Sequence, residues 1–294
     1  MRLRMRDGAH QRRPSQNVLA KMFMLPSLAG LIAFFVVPTA DVVRRSVFND
    51  ANTSFVGADN YIGIVDNEAF CLAAMNTARF MLVCIPILLA LSLAAALLLR
   101  SATPLRRFVR STLLVPLAIP AFTGALLISV IFDSSGLANS LLVTFGLSPI
   151  PWLESDAAFW VLVADYLWKN LGYCVILWLA ALACIPEELY EAARVDGANR
   201  WQCFTRVTLP LLVPSFFVVA VLSIINAFKV YREAYLVAGS YPHESMYLIP
   251  HLFNNWFADL SFGKLAAAST VLLAVLTAVV SVLFFVWRKS GAQK

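Results

Sequence analysis

Six long apolar runs leave this chain few ways to fold. A helix that crosses the hydrocarbon core of a bilayer needs about 20 mostly apolar residues. Six stretches meet that condition, at 22–43, 73–99, 111–132, 159–184, 209–230 and 264–287. Backbone amides find no water at that depth, so each run is predicted to be a helix that closes its own hydrogen bonds. A transmembrane barrel would instead show alternating apolar and polar residues, and no such alternation occurs. Pro26, Pro38, Pro86, Pro116 and Pro120 fall in or near the spans, which predicts kinks of the kind ordinary in membrane helices. The fold class is therefore all-α, a polytopic membrane protein with six transmembrane helices.

Composition supports this and excludes other classes. Hydrophobic residues make up 60% of the 294-residue chain and charged residues 14%, whereas soluble domains run at about 45–50% and about 25%. A two-domain soluble protein, a disordered chain, a secreted disulfide scaffold and a nucleic-acid binder are all excluded. The net charge of +6 matters through its placement. Five arginines precede residue 14, followed by an apolar run longer than the roughly 7–15 residues of a signal core and closed by no A-x-A-like site. The run is predicted to be an uncleaved first span behind a basic tail over 1–21, with a single six-span membrane domain over 22–294.

Cytoplasmic loops carry the excess of Lys and Arg. Basic residues cluster in the tail, in the loop after the second span (Arg100, Arg106, Arg107, Arg110), after the fourth (Arg194, Arg200, Arg206) and at the C-terminus (Arg288, Lys289, Lys294). The segments 49–70 and 133–157 have none. Both termini are thus predicted to be cytoplasmic. Arg44 and Arg45, at the outer end of the first span, run against the pattern.

The chain carries no energy source of its own. It has no GxxxxGK[ST] phosphate loop, no HExxH and no GxSxG. Its five cysteines show no metal-ligand spacing and read as small hydrophobes. His243 and His251 read as solvated residues of an outer loop. No enzyme activity and no cofactor or metal site is expected. Ionisable residues inside spans mark pathways, because they are costly there. Asp165 and Lys169 are four apart on the fourth span, so they either neutralise each other on one helix face or line a polar path. Arg79 and Lys229 lie toward the outer ends of the second and fifth spans.

One segment, 185–210, is too polar for its place between two spans. Pro186 can open a helix, and Glu187 and Glu188 suit its first turn. Leu189, Ala192, Ala193 and Asp196 follow helical spacing and make a narrow face of small side chains. Gly197 can take a positive φ. A second amphipathic helix, with Trp201, Phe204 and Val207 together, leads to Leu209 and Pro210. This predicts a helix–turn–helix along the inner membrane surface. Its knob fits either a groove on a cytoplasmic partner or the lipid interface.

These residues resemble a known family. Glu191-Ala192-Ala193, three residues, Gly197, nine residues, then Val207-Thr208-Leu209-Pro210 is similar to the EAA signature of binding-protein-dependent ABC importer permeases, with Val207 for the usual isoleucine. The segments 55–61, 114–120 and 168–173 resemble sugar permeases, in particular the subunit type of the larger maltose permease and the first glycerol-phosphate permease.

The resemblance implies a type I ABC importer permease fold in a bacterial-type cytoplasmic membrane. It implies as partners a second six-span permease, two ABC ATPase subunits that hold ATP and Mg, and an extracytoplasmic solute-binding protein delivering a sugar. Glu191, Ala192, Ala193, Asp196, Gly197, Leu209 and Pro210 then couple the pore to the ATPase. The substrate path then follows Trp168, Leu171, Gly172 and Val175 on the fourth span and Ser223, Asn226, Ala227 and Val230 on the fifth. Trp168 would stack on a sugar, Gly172 would let it approach the backbone, and Ser223 and Asn226 would hydrogen-bond it. Ala227 and Val230 replace amides of the maltose-type site, which argues against maltose itself. Each of these residues equally suits helix–helix packing. A permease of the same architecture for a polyol phosphate or an amine is the alternative. A stand-alone ion-coupled carrier would show inverted repeats and broken helices, which the sequence does not display.

Overall fold

The computed structural model describes residues 16–101 and 103–291. Most of the basic tail lies outside the described residues, as does Lys294. The described chain is helical throughout, with an isolated bridge between Phe48 and Phe55 and no strand. In order, the helices are α1 (Gln16–Leu31), α2 (Val37–Arg45), α3 (Asp59–Val65), α4 (Glu68–Leu99), α5 (Pro104–Leu113), α6 (Val115–Ala118), α7 (Ala121–Phe132), α8 (Leu137–Thr144), α9 (Ala157–Ala183), α10 (Glu187–Val195), α11 (Arg200–Cys203), α12 (Leu209–Leu211), α13 (Val213–Ala227), α14 (Tyr231–Ala238), α15 (Ile249–Ala258) and α16 (Phe262–Gly291). Among the described residues, six helical stretches are long and apolar enough to cross a membrane: Phe23–Arg45, Glu68–Leu99, Ala121–Thr144, Ala157–Ala183, Val213–Ala238 and Phe262–Lys289.

The bundle is built on α4 and α9. At 32 residues, α4 is about 48 Å long at about 1.5 Å per residue. Leu88 and Cys84 on α4 and Trp178, Val175 and Leu182 on α9 are all buried in the main core, with α13 and α16 packed alongside. Two polar side chains drawn into this core, Trp178 and Tyr166, are partnered, as burial favours. The Trp178 Nε1–H donates to Ser92 Oγ at 3.0 Å, and the Tyr166 hydroxyl donates to the Ser223 carbonyl at 2.8 Å.

A second core cluster, containing Ile64, Ala73, Leu252, Trp256 and Ala267, ties α3, α15 and α16 to the start of α4. Asn76 Nδ2 donates to the Tyr247 carbonyl at 3.0 Å, and the Ile249 amide donates to Thr77 Oγ1 at 3.0 Å. The first span stands apart. Its apolar residues Phe23, Phe34 and Phe35 are exposed, and only α2 leans on α16. Arg44 and Arg45 pair with Asp41 at 2.9 and 2.7 Å, so the two arginines against the charge pattern share a carboxylate.

The third span departs from the expected 111–132. Pro120 disfavours helix for the residue before it, and Ile119 is extended at φ −76, ψ 122. The helix stops at Ala118, restarts at Ala121 and breaks again between Phe132 and Leu137. The fifth span does not stop at 230 either. A short 3₁₀ turn, Phe228–Val230, carries it on into α14. Both breaks have consequences for the site.

His251 is not a solvated loop residue. The apolar face of α15 carries it inward with Leu252 and Asn255, and it is 0% exposed. Its ring packs against Tyr231 and Tyr247, and Nδ1 accepts the Leu248 N–H at 3.2 Å. Burial holds the imidazole down from 6.5 to about 4. The fold therefore prefers the neutral ring. Its contribution is complete above pH 6.5, where the unfolded ring is neutral too, and is lost as pH falls toward about 4. The loss is on the order of 3 kcal/mol by linkage. Thermal unfolding in detergent from pH 7 to 4 is expected to show this slope, flattened in His251→Gln.

Candidate functional site

The segment 185–210 folds as two helices about a glycine turn. Pro186 precedes α10, with Glu187 and Glu188 in the first turn, where the helix dipole favours carboxylates. Tyr190 turns inward, 5% exposed, and its hydroxyl bonds Thr208 Oγ1 at 3.0 Å. Arg100, at the end of α4, bonds Glu187 at 3.2 Å and lies 4.7 Å from the Tyr190 ring centre. The loop is thereby anchored to the bundle on one side only.

The other side is open. Leu189, Glu191, Ala192 and Asp196 are exposed and Ala193 is half-buried. Gly197 has φ +81, a left-handed conformation that glycine adopts without steric cost. Asn199 then caps the second helix in a reciprocal box with Gln202. That helix runs through α11, a π turn at Phe204–Thr208 and α12. Phe204 and Val207 face partly inward, while Trp201 is 70% exposed with its ring centre 5.7 Å from that of Phe204. Leu209 and Pro210 are exposed at the junction with the fifth span. Val195, 88% exposed at the tip of α10, is an apolar projection beside the small-residue face that the motif did not single out.

A polar cavity of about 290 Å³ lies between the third, fourth and fifth spans. The break at Ile119–Pro120 forms one wall. Asp165, Tyr166, Lys169 and Asn170 of α9 form a second, and Asn226, Lys229, Val230, Arg232 and Glu233 a third. Of the residues expected to form a path, Asn226 and Val230 line this cavity. The others are placed differently. Trp168 is 41% exposed on α9, and Leu171 is half-buried among core side chains.

Val175, Ser223 and Ala227 are buried in helix packing, where Ser223 Oγ donates to the Val219 carbonyl at 2.7 Å. Gly172 faces the end of α5. A Cβ there would lie 1.8 Å from the Leu113 carbonyl oxygen, so the close approach its hydrogen allows is to protein backbone.

Asp165 and Lys169 share no hydrogen bond or ion pair, although they lie one turn apart beside the same cavity. Lys169 donates to Glu233 of α14, forming an ion pair with side chains 15% and 6% exposed. Both Asp165 carboxylate oxygens are buried with no hydrogen-bond partner among the described residues. Glu233 escapes a sequence reading that ends the fifth span at Val230. The lack of a Pro or Gly through Tyr231–Ala238 is the available signal that the helix continues past Val230 and carries this carboxylate. Toward the rim, Lys229 donates to Asn226 Oδ1 at 2.8 Å, and on α4 Arg79 sits 4.3 Å from the Phe159 ring centre as a cation–π contact. No cluster of metal-ligating side chains occurs among the described residues.

Comparison with known proteins agrees with this architecture. Residues 86–290 match the family described as binding-protein-dependent transport system inner membrane component. The trehalose/maltose transport system permease protein MalF of Thermococcus litoralis is 30% identical over 265 residues, covering 87% of this chain and 90% of that protein. The sulfoquinovosyl glycerol transport system permease protein SmoG of Agrobacterium fabrum is 31% identical, covering 90% and 89%. Among solved structures, a bacterial ABC transporter involved in the import of the acidic polysaccharide alginate shares the fold. Its TM-score is 0.79 at 24% identity, over 93% of this chain and 96% of that one. The chain belongs to the family of binding-protein-dependent transport system inner membrane components and is a six-span permease subunit, not an enzyme.

Proposed function

We propose that this chain forms half of the pore of an ATP-driven importer for a sugar or oligosaccharide. A second six-span permease completes the pore, two cytoplasmic ATPases drive it, and an extracytoplasmic binding protein delivers the solute. The carrying observation is the two-helix segment 187–208, anchored on one side through Tyr190 and Arg100 and presenting Glu191, Ala192, Ala193 and Asp196 on the other. An interfacial lipid-binding helix would turn an apolar face outward. The open face of α10 is mostly small and polar, with Leu189 and Val195 as isolated apolar projections rather than a continuous apolar face, which suits a protein cleft. In this reading both termini and this loop are cytoplasmic, in keeping with the placement of Lys and Arg.

ATP-driven closure of the ATPases moves the coupling residues and switches the pore between inward- and outward-facing states. ATP and Mg bind to the ATPases. The solute path runs past Trp168, Asn226 and the polar cavity. The sugar assignment is supported by the printed activities of the relatives, trehalose/maltose transport among them.

The test is to tag the chain, extract it gently from native membranes and identify the proteins that copurify. An ABC ATPase and a second six-span permease are expected, and the accompanying binding protein, screened against sugars, is expected to bind one. A chain recovered alone under several mild detergents would overturn the reading.

A further inference from the structure

The ion pair across the polar cavity joins two bodies that otherwise touch little. α7 packs chiefly on α14, while α9 packs on α4. Between the α7–α14 pair and α9, the charged link is Lys169 to Glu233. Gly124 of α7 makes room for it, since a Cβ there would stand 2.9 Å from Lys169 Nζ. Each helix of the α7–α14 pair begins at a break in its span. α7 follows the extended Ile119–Pro120 step, and α14 follows the 3₁₀ turn Phe228–Val230. Both irregular steps border the cavity.

Asp165 lies one turn before Lys169 on α9, both its oxygens buried and unpartnered. A buried charge left without a partner is expensive, and removing one member of a buried pair is costly for that reason. If the α7–α14 pair moved away, Lys169 would face that cost. A vacant carboxylate at i−4, bordering the same cavity, avoids it.

We propose that Asp165, Lys169 and Glu233 form a charge relay for pore switching. Lys169 pairs with Glu233 in the state described here, and passes to Asp165 when the α7–α14 pair separates from α9. The three are positioning residues for transport. The inference rests on the ATP-driven switching proposed above. It also accounts for a buried carboxylate that no packing contact explains.

The test uses the assembled importer, with Cys71, Cys184 and Cys203 replaced by serine and spin labels on Val130→Cys of α7 and Trp160→Cys of α9, both exposed. Distances are read without nucleotide and with ATP, Mg²⁺ and orthovanadate. In the otherwise wild-type chain the distance is expected to change with nucleotide. D165N is expected to enrich the state described here about tenfold or more, and E233Q to enrich the other state by a similar factor, from the usual cost of unpairing a buried charge.

The reversed pair K169E with E233K keeps an ion pair between the same two positions but sets a second carboxylate against Asp165. It is expected to lock this state, and adding D165K is expected to restore switching. Arg288→Gln, exposed near the end of α16 and outside the cavity lining, is expected to switch normally. A K169E/E233K importer that switches like the wild type would make the pair merely structural and overturn the relay. So would D165N and E233Q shifting the populations in one direction. If the wild-type distance does not respond to nucleotide, the switching reading falls first and the relay with it.

Discussion

Replacing Gly172 with leucine is expected to remove most of the protein from the membrane fraction and to lower the unfolding temperature of what remains. The Cβ alone would stand 1.8 Å from the Leu113 carbonyl oxygen and 2.4 Å from its carbonyl carbon. Those are backbone atoms at the end of α5 and cannot rotate aside, so α5 and α9 must part. Overpacking of a close-packed interior costs typically about 1–3 kcal/mol and occasionally more, and leucine adds a branched side chain to the clash.

The damage would spread, because α5 also holds the end of α4. The Arg110 guanidinium donates to the Leu99 carbonyl and, at 3.2 Å, to the carbonyls of Arg100 and Ser101. Gly172→Ala is expected to be milder but still destabilising. Membrane abundance together with thermal unfolding in detergent measures both. A Gly172→Leu protein with wild-type stability would mean that α5 and α9 do not meet here.

The second large effect is expected at the coupling loop and has the opposite character. Ala193→Glu and Gly197→Val should leave the bundle's unfolding temperature near the wild-type value, while copurification of the ATPase and solute uptake fall at least about tenfold. Ala193 is half-buried on the presented face, and a Cβ at Gly197 meets nothing within 4 Å. Neither change therefore clashes with the core.

The cost at Gly197 is in the backbone. At φ +81 a side chain is strained by roughly 1–2 kcal/mol, more for a β-branched one, and relief of that strain tilts α10 against α11. At an interface, about 1.4 kcal/mol is a tenfold loss of affinity. Glu191→Lys is expected to weaken docking in the same way by reversing a charge on the presented face. Uptake unchanged in all three variants, with the ATPase still bound, would separate this loop from coupling.

These two predictions differ in how they could be reached. The two-helix segment 187–208 was legible in sequence because its requirements are local. Pro186, the acidic first turn, the small face and Gly197 specify a helix, a surface and a turn without reference to the rest of the chain. The glycine's positive φ and the helices on either side of it agree with that reading. The spans were legible for the same reason. A bilayer imposes one requirement on each segment separately, that its backbone bond itself and its side chains be apolar. Five of the six expected spans accordingly overlap the observed ones along most of their length, and only the third is cut, by Pro120.

The interior of the bundle was not legible in that way. Helical spacing placed Gly172, Val175, Ser223 and Ala227 on common faces but could not say what each face meets, and they meet other helices. Asp165 and Lys169 sit at i, i+4, which left open a mutual pair or a polar path, and both line the polar cavity. Tertiary packing offered Lys169 a carboxylate 64 residues away on α14 and left Asp165 empty. His251 is polar and lies in a segment between spans, yet it is buried because α15 folds onto α4 and α16.

Sequence by itself thus determined which segments cross the membrane and where the exposed two-helix segment 187–208 lies, because solvent and backbone act on each segment alone. Only the tertiary structure decided which charges meet and which side of each helix is open. Those depend on long-range contacts whose competing partners share the same local pattern.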